Sequence, residues 1–192
     1  MRTHMKQIEI DLLSIFKSGI FYNLKVGTTR DWMLKNFIEP DNVEDGETWI
    51  DSNFWRYGNI DFFLEDNKLI EICARSINPL IGGKTFRIDP WILKDSKELT
   101  VKNVVEELLS EKIDFTVTHT QKKTMCQTSI GLIQSSVYLI FHPEIQIESE
   151  SYLDWIEKEM PLINQNEYIL EGFSIFENLD HFYEIIKNKN GL

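Results

Sequence analysis

Two β-prone runs stand four residues apart, and that spacing limits what the chain can fold into. Asn53-Phe54-Trp55-Arg56-Tyr57-Gly58-Asn59-Ile60-Asp61-Phe62-Phe63-Leu64 and Leu69-Ile70-Glu71-Ile72-Cys73-Ala74 are rich in aromatic and β-branched residues, which suit a pleated, half-buried surface. Between them lies Glu65-Asp66-Asn67-Lys68. Asn67 tolerates the left-handed backbone that a tight hairpin requires. A parallel pairing would need a crossover of about a dozen residues or more. The runs are therefore expected to form an antiparallel hairpin turning at Glu65–Lys68.

Helical periods flank this hairpin. Ile8, Leu12, Ile15 and Phe16 form an i, i+4, i+7, i+8 stripe over residues 6–18, ended by Gly19. Thr28 can cap a second helix whose buried face is Trp32, Met33 and Phe37, and Pro40 stops it. Residues 75–98 are punctuated by Pro79, Gly82-Gly83 and Pro90, with a short strand expected at Thr85–Ile88. Thr100 caps a helix carrying Val101, Val104, Val105, Leu108 and Leu109, and strands follow at 113–119, 124–133 and 136–142. Ser151 caps a helix over Tyr152–Met160, Tyr168–Phe176 reads as strand, and Asn178 opens a last helix.

The expected fold is α+β: an antiparallel sheet with helices packed on one face, in a single compact domain over residues 1–192. Helix, loop, strand, strand occurs in 28–74 and again in 100–142. That recurrence suggests two tandem helix-loop-hairpin units, with candidate subunits at 20–98 and 99–192.

Charge narrows the partners. Lys and Arg total 20 against 31 Asp and Glu, a formal charge of −11. Nucleic-acid binding needs a face of Lys and Arg, and the densest basic spot is Lys122-Lys123. Nucleic acid and anionic membrane are thus poor partners, while a basic protein is favoured by faster encounter. Acidity also serves solubility alone, and that alternative stays open. No stretch reaches the ~20 apolar residues of a membrane-spanning helix, and residues 1–11 lack a signal-peptide core. Cys73 and Cys126 sit in apolar runs and are expected to be reduced core thiols of a cytoplasmic protein.

Motifs for catalysis are missing. His4, His119, His142 and His181 have no second His or Cys at metal-ligand spacing, so neither metal nor cofactor is expected. Gly82-Gly83-Lys84-Thr85 imitates the end of a phosphate loop, but Asn78 replaces the first glycine and Phe86-Arg87-Ile88-Asp89-Pro90 cannot continue as a helix. Thr128-Ser129-Ile130-Gly131 is no nucleophile elbow. The chain is therefore not expected to be an enzyme.

The aromatics carry more. In one continuous strand from 53, Asn53, Trp55, Tyr57, Asn59, Asp61 and Phe63 share a face, mixing large rings with polar groups. Binding surfaces enrich that mixture. Trp49, Trp55 and Tyr57 are candidate anchors, and the loop acids Asp41, Glu44, Asp45 and Glu47 candidate rim charges for a basic partner. The competing reading puts Trp55 and Tyr57 under a helix with their polar tips at the edge.

Val26-Gly27-Thr28-Thr29-Arg30-Asp31-Trp32-Met33-Leu34, then Glu39-Pro40-Asp41, then the run from Phe54 to Leu69 resembles the repeat unit of the β-lactamase-inhibitor-protein-like (BLIP-like) fold. That unit reads G-(M/T)-(T/S), a short helix, G-x-P, W-x-Y-G and a hairpin. Here Ile38-Glu39 stands where the glycine before Pro40 is expected. The resemblance covers residues 26–74 and implies non-catalytic binding, as in inhibitors, envelope lipoproteins and assembly factors. No lipobox-type Cys is present. Its sharpest form is a bacterial immunity-type protein neutralising a basic toxin. A small-ligand or regulatory domain is the alternative, with Trp55 and Tyr57 lining a pocket.

Overall fold

The computed structural model describes residues 7–45, 48–77, 79–94, 99–122, 125–144 and 163–177. The helices expected over 152–160 and from Asn178, and the loop acid Glu47, lie outside the described residues. The fold is α+β, with an eight-stranded antiparallel sheet dominating three described α-helices.

The first elements depart from the expected helix over 6–18. Ile8–Asp11 is a strand (β1), and the helix (α1) spans Leu12–Ser18. Ile8 and Ile10 turn inward while Glu9 and Asp11 stay exposed, a period of two in which only Ile8 belongs to the expected helical stripe. Asp11 then caps, its side chain accepting from the Leu13 amide at 3.0 Å. Gly19 closes the helix as expected, its amide bonded to the Ile15 carbonyl at 2.7 Å. A small ribbon of Ile20–Phe21 (β2) and Leu24–Lys25 (β3) follows. In the second helix, Arg30–Asn36 (α2), the cap is Thr29, one residue later than expected.

The main sheet is laid down in two runs. Asn42–Val43 (β4), Phe54–Tyr57 (β5), Ile60–Glu65 (β6) and Lys68–Ala74 (β7) make the first. After Phe86–Asp89 (β8) comes the helix Val101–Ser110 (α3), capped by Thr100 as expected, and then Phe115–Lys122 (β9), Met125–Leu132 (β10), Val137–His142 (β11) and Ile169–Ile175 (β12). Strand order is β4-β5-β6-β7-β12-β11-β10-β9, so the last strands of the two runs meet in the middle, pairing Cys73 with Ser174 and Ile72 with Ile175. Separately, β1 and β8 pair in parallel, which the sequence did not suggest.

The hairpin at Glu65–Lys68 is present: Asp66 and Asn67 take φ 46° and 64°, the doubly left-handed pattern of a type I′ turn. The single strand expected over 53–64 is not. The chain reverses at Gly58-Asn59, and Tyr57 pairs with Ile60. Gly58 has φ 64°, the first central residue of a II′-type turn. This flips the parity of everything after it. Trp55, Tyr57, Ile60 and Phe62 share one face, and Phe54, Arg56, Asp61 and Phe63 share the other.

The first of these faces carries the core. Phe62 meets Phe21 edge-on at 5.3 Å, and Phe173 of β12 meets Phe16 of α1 at 5.5 Å. Met33 of α2 and Val101, Val104 and Leu108 of α3 join the same buried cluster.

At Gly58 an added Cβ would lie 2.1 Å from the Ile81 carbonyl oxygen and 2.4 Å from the Gly83 nitrogen. Gly58→Ala is therefore expected to lower the unfolding free energy by more than about 2 kcal/mol, from steric conflict added to a left-handed backbone. Urea unfolding followed by circular dichroism measures this. Unchanged stability would contradict the reversal at this residue.

Candidate binding surface

The structure removes Trp55 and Tyr57 from the surface. Both are 0% exposed. Trp55 donates its indole N–H to the Ser52 carbonyl at 3.2 Å and packs edge-on against the half-buried Trp49, ring centroids 5.3 Å apart. Tyr57 donates its hydroxyl to the Ile38 carbonyl, and its ring lies 4.9 Å from Phe86 and 5.0 Å from Phe62. Burial, then Asp41 and Glu39, pushes its phenol pKa up. Both are core rings with satisfied polar tips, as the competing reading holds, although Trp55 is covered by the Trp49–Ser52 loop and its N–H is buried. The cause is the reversal at Gly58-Asn59, which a continuous strand does not contain.

The loop acids are also occupied by their own chain. Asp45 Oδ1 accepts from the Ser52 hydroxyl at 2.6 Å and from the Asn53 and Phe54 amides at 3.0 and 2.9 Å. Asp41 accepts from the Lys84 amide at 2.8 Å and the Thr85 hydroxyl at 3.0 Å. The Gly82-Gly83-Lys84-Thr85 turn thus holds an internal carboxylate where a phosphate loop would hold a phosphate. A Cβ on Gly83 would fall 1.8 Å from Asp41 Oδ2. Glu44 is exposed and pairs with Arg56. Arg30 fastens the end of this loop to α2, donating to the Ile50 and Ser52 carbonyls and to the Asn53 side chain.

The other face of β5–β7 holds an arginine–aromatic cluster. Phe54 and Phe63 meet edge-on at 4.8 Å, both half-buried. The Arg56 guanidinium lies 4.8 Å from the Phe54 centroid and that of Arg75 lies 5.4 Å from Phe63. Arg56 also grips Asp61 bidentately, at 2.7 and 3.3 Å. Two concavities lie here and share Arg75. One, about 510 Å³, runs past Glu44, Phe54, Arg56, Asp61 and Phe63. The other, about 380 Å³, crosses to β11 and β12 over Glu71, Ile140, His142, Glu171 and Ser174.

The polar groups of the second concavity are already matched. Ser174 donates its hydroxyl to Glu71 at 2.7 Å, and His142 Nε2 sits 3.1 Å from Glu171. Hydroxyl and imidazole therefore have separate partners, and no nucleophile–base pair forms between them. Cys73 is buried, and burial followed by the Glu71 charge pushes its thiol up to about 12, so it carries no thiolate at neutral pH. Among the described residues no group of three or more His, Cys, Asp or Glu is arranged to hold a metal, and no helix is long and apolar enough to cross a membrane. No family model, curated protein or solved structure matches the chain.

Of the aromatics in residues 53–64, Trp55 and Tyr57 go to the core, and Phe54 and Phe63 take the outer face beside Arg56 and Arg75. The signal was available: Gly-Asn between Tyr57 and Ile60 is a two-residue hairpin dipeptide.

Cys73 links this face to pH. In an unfolded chain its thiol titrates near ~8.5, and in the fold it is pushed up to about 12. Between those values the unfolded chain loses a proton that the folded chain keeps. This contribution to stability is therefore intact below about pH 8.5 and declines as pH rises, by up to about 1.4 kcal/mol per pH unit. Tyr57 and Tyr168, both raised by burial, add to the decline. Denaturation between neutral and alkaline pH should show it, and Cys73→Ala should flatten the first part. A wild-type curve that stays level through that window would contradict the burial of this thiol.

Proposed function

We propose that the chain is a non-catalytic protein-binding protein whose contact surface is the face carrying Phe54, Phe63, Arg56 and Arg75. The observation supporting this is the cluster itself: two half-buried rings, each beneath a guanidinium, at the junction of two concavities. Arg and aromatic residues dominate the energetics of protein contacts because they bury large, rigid areas and still offer directional donors. Glu44 and Glu71 border the cluster, and the chain carries −11 overall, so the partner is basic. The sharpest form of this reading is a cytoplasmic immunity-type protein that neutralises a basic toxin, with no cofactor.

The same reading takes the two runs, each led by a helix and followed by four strands, as tandem units with their helices on one face of the sheet. The resemblance of residues 26–74 to the BLIP-like unit is in keeping with it. A small-ligand role is the second reading. The concavity over Glu71, His142 and Glu171, about 380 Å³, lies within the ~300–1,000 Å³ of small-molecule sites.

Binding kinetics against a panel of purified basic toxin domains tests the first reading. Phe63→Ala and Arg75→Glu are each expected to weaken binding by roughly thirtyfold, mainly through faster dissociation, with circular dichroism unchanged. Glu44→Lys is expected to slow association, an effect that added salt erases. Unchanged rates in Phe63→Ala and Arg75→Glu would remove the function from this face.

A further inference from the structure

The two edges of the main sheet are unlike. At one end β4 is two residues long, too short to template another strand. At the other, β9 runs eight residues, and among the described residues it pairs with β10 alone. Its register with β10 is unbroken from Phe115↔Leu132 to Lys122↔Met125, with no bulge to bend it away. It contains no proline, and Thr116, Val117, Thr118 and His119 are exposed. Sheet proteins ordinarily blunt such an edge with charge, proline, a bulge or shortness. None of the first three protects residues 115–121.

Charge indicates what pairs there. From Phe115 to Pro143 the chain has no Asp or Glu, although it carries 31 of them elsewhere. β9, β10 and β11 themselves hold no acid, with Asp114 just before β9, whereas β6, β7 and β12 hold Asp61, Glu65, Glu71 and Glu171. Two copies of a −11 chain repel one another overall, and β9 itself sets no acidic side chain against its counterpart in an edge-to-edge contact. A basic partner has no attraction to that edge.

We propose that β9 is a homodimer edge, where two copies pair antiparallel about a two-fold axis at Thr118 and continue the sheet from one subunit into the next. Register supports that centre. Thr116, Thr118 and Thr120 lie on one face of β9, opposite Gly131, Ser129 and Gln127 of β10. With the axis at Thr118, Thr116 faces the second copy's Thr120 and Thr118 faces its own counterpart, so every threonine of that face meets a threonine. Thr–Thr cross-strand pairs are favourable, and a two-fold contact requires this self-complementarity. Val117, 40% exposed on the core face, then covers the second copy's His119.

Sedimentation of the purified full chain tests this. The wild type is expected to move at micromolar concentration as a species of twice the 22.7 kDa chain mass. Thr118→Lys sets two ammonium groups against each other on the axis, and is expected to give a monomer with an unchanged circular dichroism spectrum. Thr118→Cys supplies an arm that does not depend on disruption. Directly paired strand residues have Cα atoms about 4.5–5.5 Å apart, within disulfide reach, so mild oxidation should yield a covalent dimer, and Thr116→Cys far less. A wild type that stays monomeric would overturn the proposal, leaving the edge to another protein's strand or to none. A dimer that survives Thr118→Lys would overturn it, as would a Thr118→Cys variant that does not cross-link.

Discussion

The reversal at Gly58-Asn59 is the constraint from which the rest of the first run follows. Gly58 takes a left-handed φ against a wall of backbone with no room for a side chain. Asn59 then ties down the loop beneath the turn. Its side chain donates to the Ser76 and Pro79 carbonyls at 2.6 and 2.9 Å and accepts from the Ile81 amide at 2.7 Å, while its own amide bonds the Ile81 carbonyl at 2.9 Å. With that loop fixed, Gly82 to Thr85 is delivered to the Asp41 carboxylate, and the chain runs on into β8 against β1. One two-residue turn thus sets the faces of β5 and β6 and the path of the segment that closes over the core.

Much of the fold was legible because it depends on local rules. The type I′ hairpin at Asp66-Asn67, the Thr100 cap and the continuously apolar β11 each follow from a few neighbouring residues. The strand Ile8–Asp11 was missed because Ile8 also begins a helical stripe with Leu12, Ile15 and Phe16, and the deciding partner, Phe86–Asp89, lies far along the chain. Long-range pairing overrode a local period. Trp55 and Tyr57 were misplaced for a different reason. A single unrecognised turn inverted the parity of the strand, and with a period of two that moves every side chain to the opposite face. Trp55 and Tyr57 went to the core, and Phe54 and Phe63 took the outer positions.

Acidic residues in this chain do two kinds of work. Asp41 and Asp45 accept hydrogen bonds from backbone amides and hydroxyls, which shapes the loop before β5. Glu44, Asp61 and Glu71 border the arginine–aromatic cluster and leave that region acidic. The strands β9, β10 and β11 hold no acid, whereas β6, β7 and β12 do.

The faces of β5 and β6 decide all of these assignments, and proton–proton contacts in solution report them directly. In a nuclear Overhauser experiment the account predicts cross-strand Hα–Hα contacts between Arg56 and Asp61 and between Phe54 and Phe63, the residues paired across the Gly58-Asn59 turn. One continuous strand over 53–64 would give sequential contacts only, since Phe54 and Phe63 would then stand about 30 Å apart. That result would return Trp55 and Tyr57 to the face shared with Asp61 and contradict the structure at its centre.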